Sequence, residues 1–401
     1  MPLEKQETAI SPCNMAIIWG NGINAHTIVQ NVRQLDFAGP IHIIKPKRSQ
    51  DKVADRLNRF VTSSELSPCT VTALLNEVRS IAPDASKVAL FLTDERFHGE
   101  LAELQIQGQL PMNILVHLGC AYQMNTVLDR LTFCRFLESI GLTPPQTIPG
   151  DADPLSTFGC PFILRPRTSW QTDGHRERVE IIKNPRHYKS VLATLQDRAV
   201  ERSQLCFQEL LSTDSRHNIS TCGWFSPTRE HIYCTRKVLQ HPNGKGDGDV
   251  VELITPPPGL LDVTQRLLGA LSYGGPFELE FVFDTNADSY KVIELNPRFW
   301  LQHGLVGSIS GFAPVAQYLC MDPLESHLYE TNLRCWIHTP YAIYRTIRGD
   351  LRSLQYLWSK HTYMPLTIKD TVRLLSSLIS SRLSTSHAKD RLTSGNHICN
   401  P

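Results

Sequence analysis

The chain has 401 residues, with 40 Lys and Arg against 39 Asp and Glu and a formal net charge of +1. That length allows two or three domains with separate cores, and 41% hydrophobic with 20% charged residues is a globular composition, which excludes disorder as the main state. Near-zero net charge excludes a general pull toward nucleic acid or anionic membrane, so small-molecule partners are the expectation.

The opening MPLEKQETAISPCN lacks an apolar stretch, so no signal peptide is expected. Met15 to Trp19 (MAIIW) is a short apolar run, the pattern of a buried strand. Gly20-Asn21-Gly22 follows, then helical spacing from Ile23 to Leu35, then a second strand from Ile41 to Ile44. This strand–turn–helix–strand start predicts a small parallel α/β domain. Gly20, Gly22 and Ala25 also fit the G-x-G-x-x-A spacing of dinucleotide turns. The acid that would hold a ribose after the second strand is replaced by Lys45, Lys47 and Arg48. A tight scaffold turn is therefore the reading, with an NADP-dependent oxidoreductase as the alternative. Val88 to Leu92 and Asn113 to His117 read as further strands of the same sheet, with a helix over Glu95 to Leu104. Met124 to Gly141 reads as one helix on Leu128, Leu131, Phe136, Leu137 and Ile140, closed by Gly141 and Pro144-Pro145. A domain boundary falls near residue 120.

Pro161 to Arg165 reads as a strand leading into Pro166-Arg167-Thr168-Ser169-Trp170. Val179 to Ile182 and Gln204 to Leu211 read as strands flanking a helix over Pro185 to Gln196. Asn218 to Phe225 and His231 to Leu239 flank the turn Ser226-Pro227-Thr228. Arg236 and Lys237 sit near the end of the second of these, where alternation sends only one inward. Gln240 to Asp249 (QHPNGKGDGD) reads as a loop that closes on substrate or as a long surface turn. Pro256 to Gly259 is a stiff connector before a helix over Leu260 to Leu271.

Pro276 to Arg298 (PFELEFVFDTNADSYKVIELNPR) reads as a β-hairpin. Placing Glu280 opposite Glu294 sets Leu279 against Leu295 and Phe281 against Ile293, an apolar face throughout. The other face then gathers Glu280, Glu294 and Asn296. Two opposed carboxylates repel, and a small divalent cation removes that penalty; oxygen-only donors suit Mg²⁺. Arg298 adds a planar fork for a phosphate or carboxylate. The bland alternative is a solvated surface hairpin.

The Glu-x-Asn-Pro-Arg strand with an earlier strand Glu resembles the metal-binding signature of the ATP-grasp carboxylate–amine ligases, and further matches extend the resemblance over roughly residues 15–320. It implies an α/β (α+β) architecture. A parallel α/β domain (1–120) precedes an ATP-grasp domain (121–325), with a small lid subdomain at about 155–210 and a large one at about 211–325, followed by a helical extension (326–401). It implies that Glu280, Glu294 and Asn296 hold Mg²⁺, with Mn²⁺ as substitute, bridging the phosphates of ATP. Arg130 and Arg165 stand where the family has phosphate-binding lysines, and Arg167 and Ser169 belong to the loop that usually carries several glycines. Gln208, Glu209 and Leu210 would meet the adenine edge, and Glu209 or Asp214 would bind ribose. Arg236 is the inward member of the basic pair, and Arg298 contacts the transferred phosphate or the substrate carboxylate.

After the hairpin, Phe299 to Gly311 is expected along the pocket, with Phe299-Trp300 in the core, and Phe312 to Met321 as a helix. Lys369 to Leu383 has the pattern of an amphipathic helix packed on the body or a second subunit, which allows a homodimer, and Ser384 to Pro401 that of a disordered tail. The eleven cysteines are scattered without a CxxC pair, the pattern of reduced thiols in an intracellular protein. No apolar run approaches the ~20 residues that span a bilayer, and the expected location is cytoplasmic. The resemblance implies an ADP-forming ligase that activates a carboxylate as an acyl phosphate and joins it to an amine, on amino-acid-like substrates of a biosynthetic pathway. A degenerate ATP-grasp protein that binds nucleotide as a regulator or scaffold is the rival.

Overall fold

The computed structural model describes residues 12–47, 58, 60–82, 86–168, 179–241, 246–324, 332–369 and 371–372. Arg48, Ser169 to Gly174, most of the Lys369 to Leu383 pattern and the Ser384 to Pro401 tail lie outside the described residues. The first five strands are β1 (Met15–Trp19), β2 (Ile41–Pro46), β3 (Thr62–Leu66), β4 (Val88–Leu92) and β5 (Ile114–Leu115). They form a parallel sheet of order β3-β2-β1-β4-β5. β1 and β4 are buried along their whole length, as unbroken apolar strands covered on both faces should be. Helices α1 (Ile23–Gln34), α2 (Val71–Ile81) and α3 (His98–Ile106) follow β1, β3 and β4.

Strand order reverses between β1 and β4, and the crevice beyond their carboxyl ends is where such a sheet accepts a ligand. The glycine turn follows β1 there, and Thr93 to Glu95 follow β4. Gly20 has φ +113°, and a Cβ on it would lie 1.9 Å from Thr93 Oγ1. Thr93 Oγ1 in turn donates to the Trp19 carbonyl at 2.9 Å. Packing of the two turns against each other therefore demands the glycine.

The expected single helix over Met124 to Gly141 is two: α4 (Met124–Leu128) and α5 (Arg130–Ser139). Asp129 between them is extended (φ −100°, ψ 113°), and its Oδ1 accepts from the Thr132 amide at 2.9 Å. A new N-cap restarts the helix, and the apolar pattern runs across the break without a signal.

A second sheet, all antiparallel, joins β6 (Thr147–Pro149), β7 (Phe162–Pro166), β8 (Glu180–Ile182) and β9 (Leu205–Glu209) in the order β6-β9-β7-β8. Helix α6 (Pro185–Asp197), capped by Asn184, buries Tyr188 and Leu195 against Phe162 and Phe207 of this sheet. The third sheet contains β10 (Asn218–Phe225), β11 (Glu230–His241), β12 (Asp247–Ile254), β13 (Gly275–Asp284), β14 (Ser289–Asn296), β15 (Cys335–Ile337) and β16 (Thr362–Tyr363). Its order is β14-β13-β10-β11-β12-β15-β16.

Two expectations are corrected here. Asp247 to Asp249, assigned to a loop, open β12; residues 242–245 lie outside the described residues. The segment expected as a helical extension also supplies β15 and β16 to the large sheet, besides its helix at Thr339–Ile347.

One apolar core runs from the first sheet to the hairpin, uniting Trp19, Phe97, Phe133 and Leu137 with Phe277, Leu279, Phe281 and Leu295. Each such side chain, fully removed from water, contributes about 2–3 kcal/mol. Phe299 and Trp300 are buried, as expected. No helix among the described residues is long and apolar enough to cross a membrane, and the cysteines among them are free thiols.

Gly20→Ala should lower stability by about 2 kcal/mol, because it combines a left-handed backbone with a clash. Urea unfolding checks the loss, and nucleotide affinity measured alongside should be retained.

His98 and His303 are each 1% exposed. Their rings bond the carbonyls of Pro297 (3.0 Å) and Trp300 (2.7 Å). Burial pushes both from the ordinary 6.5 down to about 4. Only the unfolded chain takes up these protons between those values, so the stabilisation is complete above pH 6.5 and is lost as pH falls toward 4, by up to about 3 kcal/mol each. Urea midpoints at pH 7, 6 and 5 should fall in that order, and less steeply in a His98→Gln/His303→Gln double variant.

Candidate active site

A cleft of about 410 Å³ is lined by β7 and β9 of the second sheet, by β13 and β14 of the third, and by Glu95 from the turn after β4. Its acidic face is built by the hairpin. Glu280 pairs with Glu294 and Leu279 with Leu295, as the apolar pattern predicts, but Phe281 lies opposite Val292, not Ile293. A β-bulge between these pairs places Ile293 as an extra residue. On one side of the bulge Tyr290 and Val292 join the core, and on the other Leu295 does. Lys291 is therefore turned from the core, and the adjacent Ile293 and Glu294 both line the cleft. Bulges re-aim side chains in this way, often beside active sites.

Each oxygen of Glu294 holds one guanidinium. Arg130 Nη2, at the start of α5, donates to Oε1 at 2.8 Å, and Arg165 Nη2, on β7, donates to Oε2 at 2.7 Å. Arg130 Nη1 also donates to the Pro166 carbonyl and Arg165 Nη1 to Gln208 Oε1. Burial alone would raise the Glu294 carboxyl; Arg130 and then Arg165 outweigh it and pull it down to about 2. One rung along, Asn296 Nδ2 donates to Glu278 Oε2 at 3.2 Å and to Glu280 Oε1 at 3.3 Å. Glu280 Oε2 accepts from Lys237 Nζ at 2.7 Å. Burial works against the Lys237 charge, but Glu280 and Glu278 together hold its pKa above the ordinary value. Burial, then the Glu280 charge, pushes the Glu278 carboxyl up to about 8. Arg298 Nε donates to Glu95 Oε1 at 2.5 Å, which joins the hairpin to the switch point of the first sheet.

Glu280, Glu294, Asn296, Arg130, Arg165, Arg298, Gln208, Glu209 and Leu210 thus lie together on the cleft wall. Glu209 accepts from the Gln146 amide and from Lys291 Nζ, each at 2.7 Å. Other expected residues lie elsewhere. Of the basic pair it is Lys237 that enters the cleft; Arg236, on the opposite face of β11, pairs with Glu252 at 2.6 Å and is 40% exposed. Arg167 is drawn to Asp129 Oδ2 at 2.8 Å, off the cleft. Asp214 caps the turn Ser215–His217 and pairs with Arg216, leaving Glu209 as the ribose candidate within the cleft. Ser169 lies outside the described residues.

Glu278, Lys237 and Glu95 complete the charged wall, although no expected role was attached to them. The FELEF alternation already sets Glu278 beside Glu280, so that residue was legible. Glu95 enters through tertiary packing alone.

The residue types suit a hard divalent cation, but as placed the Asn296 amide turns Nδ2 to the carboxylates of Glu278 and Glu280. Among the described residues no group of three or more His, Cys, Asp and Glu side chains converges on one point, because Glu294 is turned to its arginines. Cation binding would require these ion pairs to be exchanged.

No family model matches the chain. Solved structures share its fold. N5-carboxyaminoimidazole ribonucleotide synthetase from Thermus thermophilus superposes with a TM-score of 0.54 at 17% identity, over 78% of this chain and 80% of that one. L-amino acid ligase from Bacillus licheniformis gives 0.55 at 14%, over 80% and 77%. A pyruvate carboxylase from Rhizobium etli gives 0.57 at 13%, over 81% of this chain but only 30% of that much longer one. At such identities the likeness is one of fold.

Glu294→Gln removes the shared counter-ion of two buried guanidinium groups and should cost about 3 kcal/mol in urea unfolding. Added inorganic phosphate, which fits the same forks, should restore part of the loss in the variant and less in the parent.

Proposed function

We propose, from the ATP-grasp fold that the chain shares with those structures, that it is an ATP-dependent ligase forming an amide between a carboxylate and an amine. The observation that carries this reading is the meeting, in one cleft, of the β13–β14 oxygen donors with Arg130, Arg165, Lys237 and Arg298. Glu280, Glu294 and Asn296 would hold Mg²⁺ or Mn²⁺, which supplies charge neutralisation for a triphosphate. Arg130 and Arg165 would take the outer phosphates in exchange for Glu294. Lys237 adds a point charge beside them. Gln208 to Leu210 would meet the adenine edge and Glu209 the ribose.

A carboxylate is a poor electrophile at neutral pH. Its oxygen attacks the γ-phosphorus, the bond from that phosphorus to the bridging oxygen breaks, and ADP leaves. The amine nitrogen then attacks the acyl carbon, the acyl–oxygen bond breaks, and inorganic phosphate leaves, with the proton lost from nitrogen passing to the departing phosphate or to water. Such a sequence asks the protein for placement and charge neutralisation rather than an acid–base dyad. Arg298, fixed by Glu95, would steady the acyl phosphate. Amino-acid-like substrates suit the charged groups that line the cleft.

One observation favours a second reading. Both phosphate-binding candidates are engaged by Glu294, and a chain in which that engagement persists would bind nucleotide as a regulator without turnover.

Incubation with Mg²⁺, ATP and a pool of amino acids should release ADP and yield a condensed product by mass spectrometry. Nucleotide binding without ADP release across a broad screen would support the regulator instead. Arg165→Ala should weaken nucleotide binding by about tenfold, as expected for a lost charge-assisted contact. Arg167→Ala, off the cleft, should change it less than about twofold, and equal effects would refute the assignment.

A further inference from the structure

The residues leading into β1 are laced to two neighbours. The Asn14 and Met15 amides donate to the Lys87 carbonyl at 3.0 and 3.3 Å, and the Cys13 amide donates to the Leu319 carbonyl at 3.0 Å. Leu319 closes the helix at Ala313–Tyr318, and Cys320 follows it directly. That one backbone bond keeps the Cα atoms of Cys13 and Cys320 within about 7 Å, the outer limit of what a disulfide spans. Cys320 has φ 57°, the left-handed position after a helix that glycine usually takes. The side chain that stands there instead faces Cys13, and the two thiols share a hydrogen bond.

Both are free thiols; Cys13 is buried and Cys320 partly exposed. The hydrogen bond to Cys320, then burial, holds the Cys13 thiol far above its ordinary range. The same bond pulls Cys320 from the ordinary 9.0 down to about 6, with burial opposing and the Lys87 charge assisting. A thiolate therefore stands on the accessible side at neutral pH, with a protonated thiol directly behind it.

We infer that Cys13 and Cys320 are a redox-active pair that closes to a disulfide by exchange with a small-molecule disulfide of the glutathione class. The Cys320 thiolate attacks one sulfur of the incoming disulfide, that S–S bond breaks, and one thiolate leaves. Cys13 then gives its proton to solvent and attacks the Cys320 sulfur; the mixed S–S bond breaks and the second thiolate leaves. The two cysteines are oxidised by two electrons, the incoming disulfide is reduced to two thiols, and the cysteine protons end on those thiols through water. The backbone bond beside the pair already exists in the thiol form, so closure shortens a sulfur contact without moving a strand. The bridge joins residues about 300 apart in the chain and restricts the unfolded state accordingly. A metal ion is the competing occupant of two neighbouring thiols. It is disfavoured because no third His, Cys, Asp or Glu converges with them among the described residues. Neither cysteine lines the cleft, so the disulfide and the ligase reading stand or fall separately.

The full chain is equilibrated in glutathione buffers of stepped oxidation, quenched with acid and alkylated, and its unreduced tryptic peptides are mapped by mass spectrometry. A Cys13–Cys320 cross-linked peptide should form as the main disulfide and disappear on adding dithiothreitol. The oxidised parent should unfold at higher urea than the reduced parent. In Cys13→Ser, glutathione should accumulate on Cys320; in Cys320→Ser, Cys13 should stay unmodified. Iodoacetamide at neutral pH should alkylate Cys320 of the reduced parent about tenfold faster than Cys69 and Cys160, which are also partly exposed. Oxidation that leaves Cys13 and Cys320 alkylated, a main cross-link to any other cysteine, glutathione on Cys13 in Cys320→Ser, or equal alkylation rates would each overturn the assignment. So would stoichiometric Zn²⁺ on the reduced chain that shields both thiols from alkylation, which would make them metal ligands. Should either variant fail to fold, the disulfide map and alkylation rates of the parent decide.

Discussion

The two guanidinium groups on Glu294 are the constraint on which the cleft depends. Arg130 comes from the first residue of α5, Arg165 from β7 and Glu294 from β14, so one carboxylate ties a helix start, the small sheet and the large sheet together. The geometry is close to ideal, one oxygen to each fork at 2.7–2.8 Å. Buried ion pairs of this kind contribute little net stability over an apolar replacement, yet removal of one member is severe. Their value is therefore in placement: they hold the walls of an otherwise open cleft at a fixed separation, and they fix two guanidinium groups on its wall. A polyanion competing for the same forks would relax this tie and release Glu294 in one exchange.

That arrangement requires the bulge at Ile293. In an unbroken ladder Glu294 would stand alternate to Ile293, and β14 would have to choose between burying Val292 and presenting Glu294. One extra residue resolves the conflict: Val292 and Leu295 both reach the core, while Ile293 and Glu294 share the cleft side. The cleft gains an apolar side chain next to a carboxylate, a pairing that a regular strand cannot provide.

The hairpin was legible in the sequence because its alternation is strong and its turn polar, and the same pattern gave the Glu280–Glu294 and Leu279–Leu295 pairs. The bulge was not, since Ile293 is as apolar as its neighbours and period-2 counting cannot register an inserted residue. The parallel sheet was legible from MAIIW and VALFL. β3 was not, because TSSEL is polar, lies at the sheet edge and carries no alternation. The choice of Lys237 over Arg236 turns on one residue of phase in β11, a strand that itself shifts register further along, between Lys237 and Leu239. Asp129 resembles an ordinary helix residue until Thr132 and Arg167 are seen around it. Each failure has the same origin: a tertiary partner decides between two local options that the sequence leaves nearly equal.

The carboxyl-terminal segment illustrates how far such partners reach. Arg345, on the helix at Thr339–Ile347, is buried with its Nε on Asp249 Oδ2 at 2.5 Å, its Nη1 on Asp350 at 2.8 Å and its Nη2 on the Gln240 carbonyl. Gln240 lies near the end of β11 and Asp249 near the start of β12, so a single guanidinium spans both strands next to residues that line the cleft. β15 then pairs with β12 through Val250 and Val251, and Tyr341 from the same helix reaches the cleft wall. Asp249 is fully buried, and a charge so placed holds its position only while Arg345 neutralises it. The segment is therefore part of the cleft's construction rather than an appendage: without it the β11–β12 hairpin would lose an edge pairing and its central counter-ion, and Lys237, Gln240 and Asp247 would lose the frame that presents them.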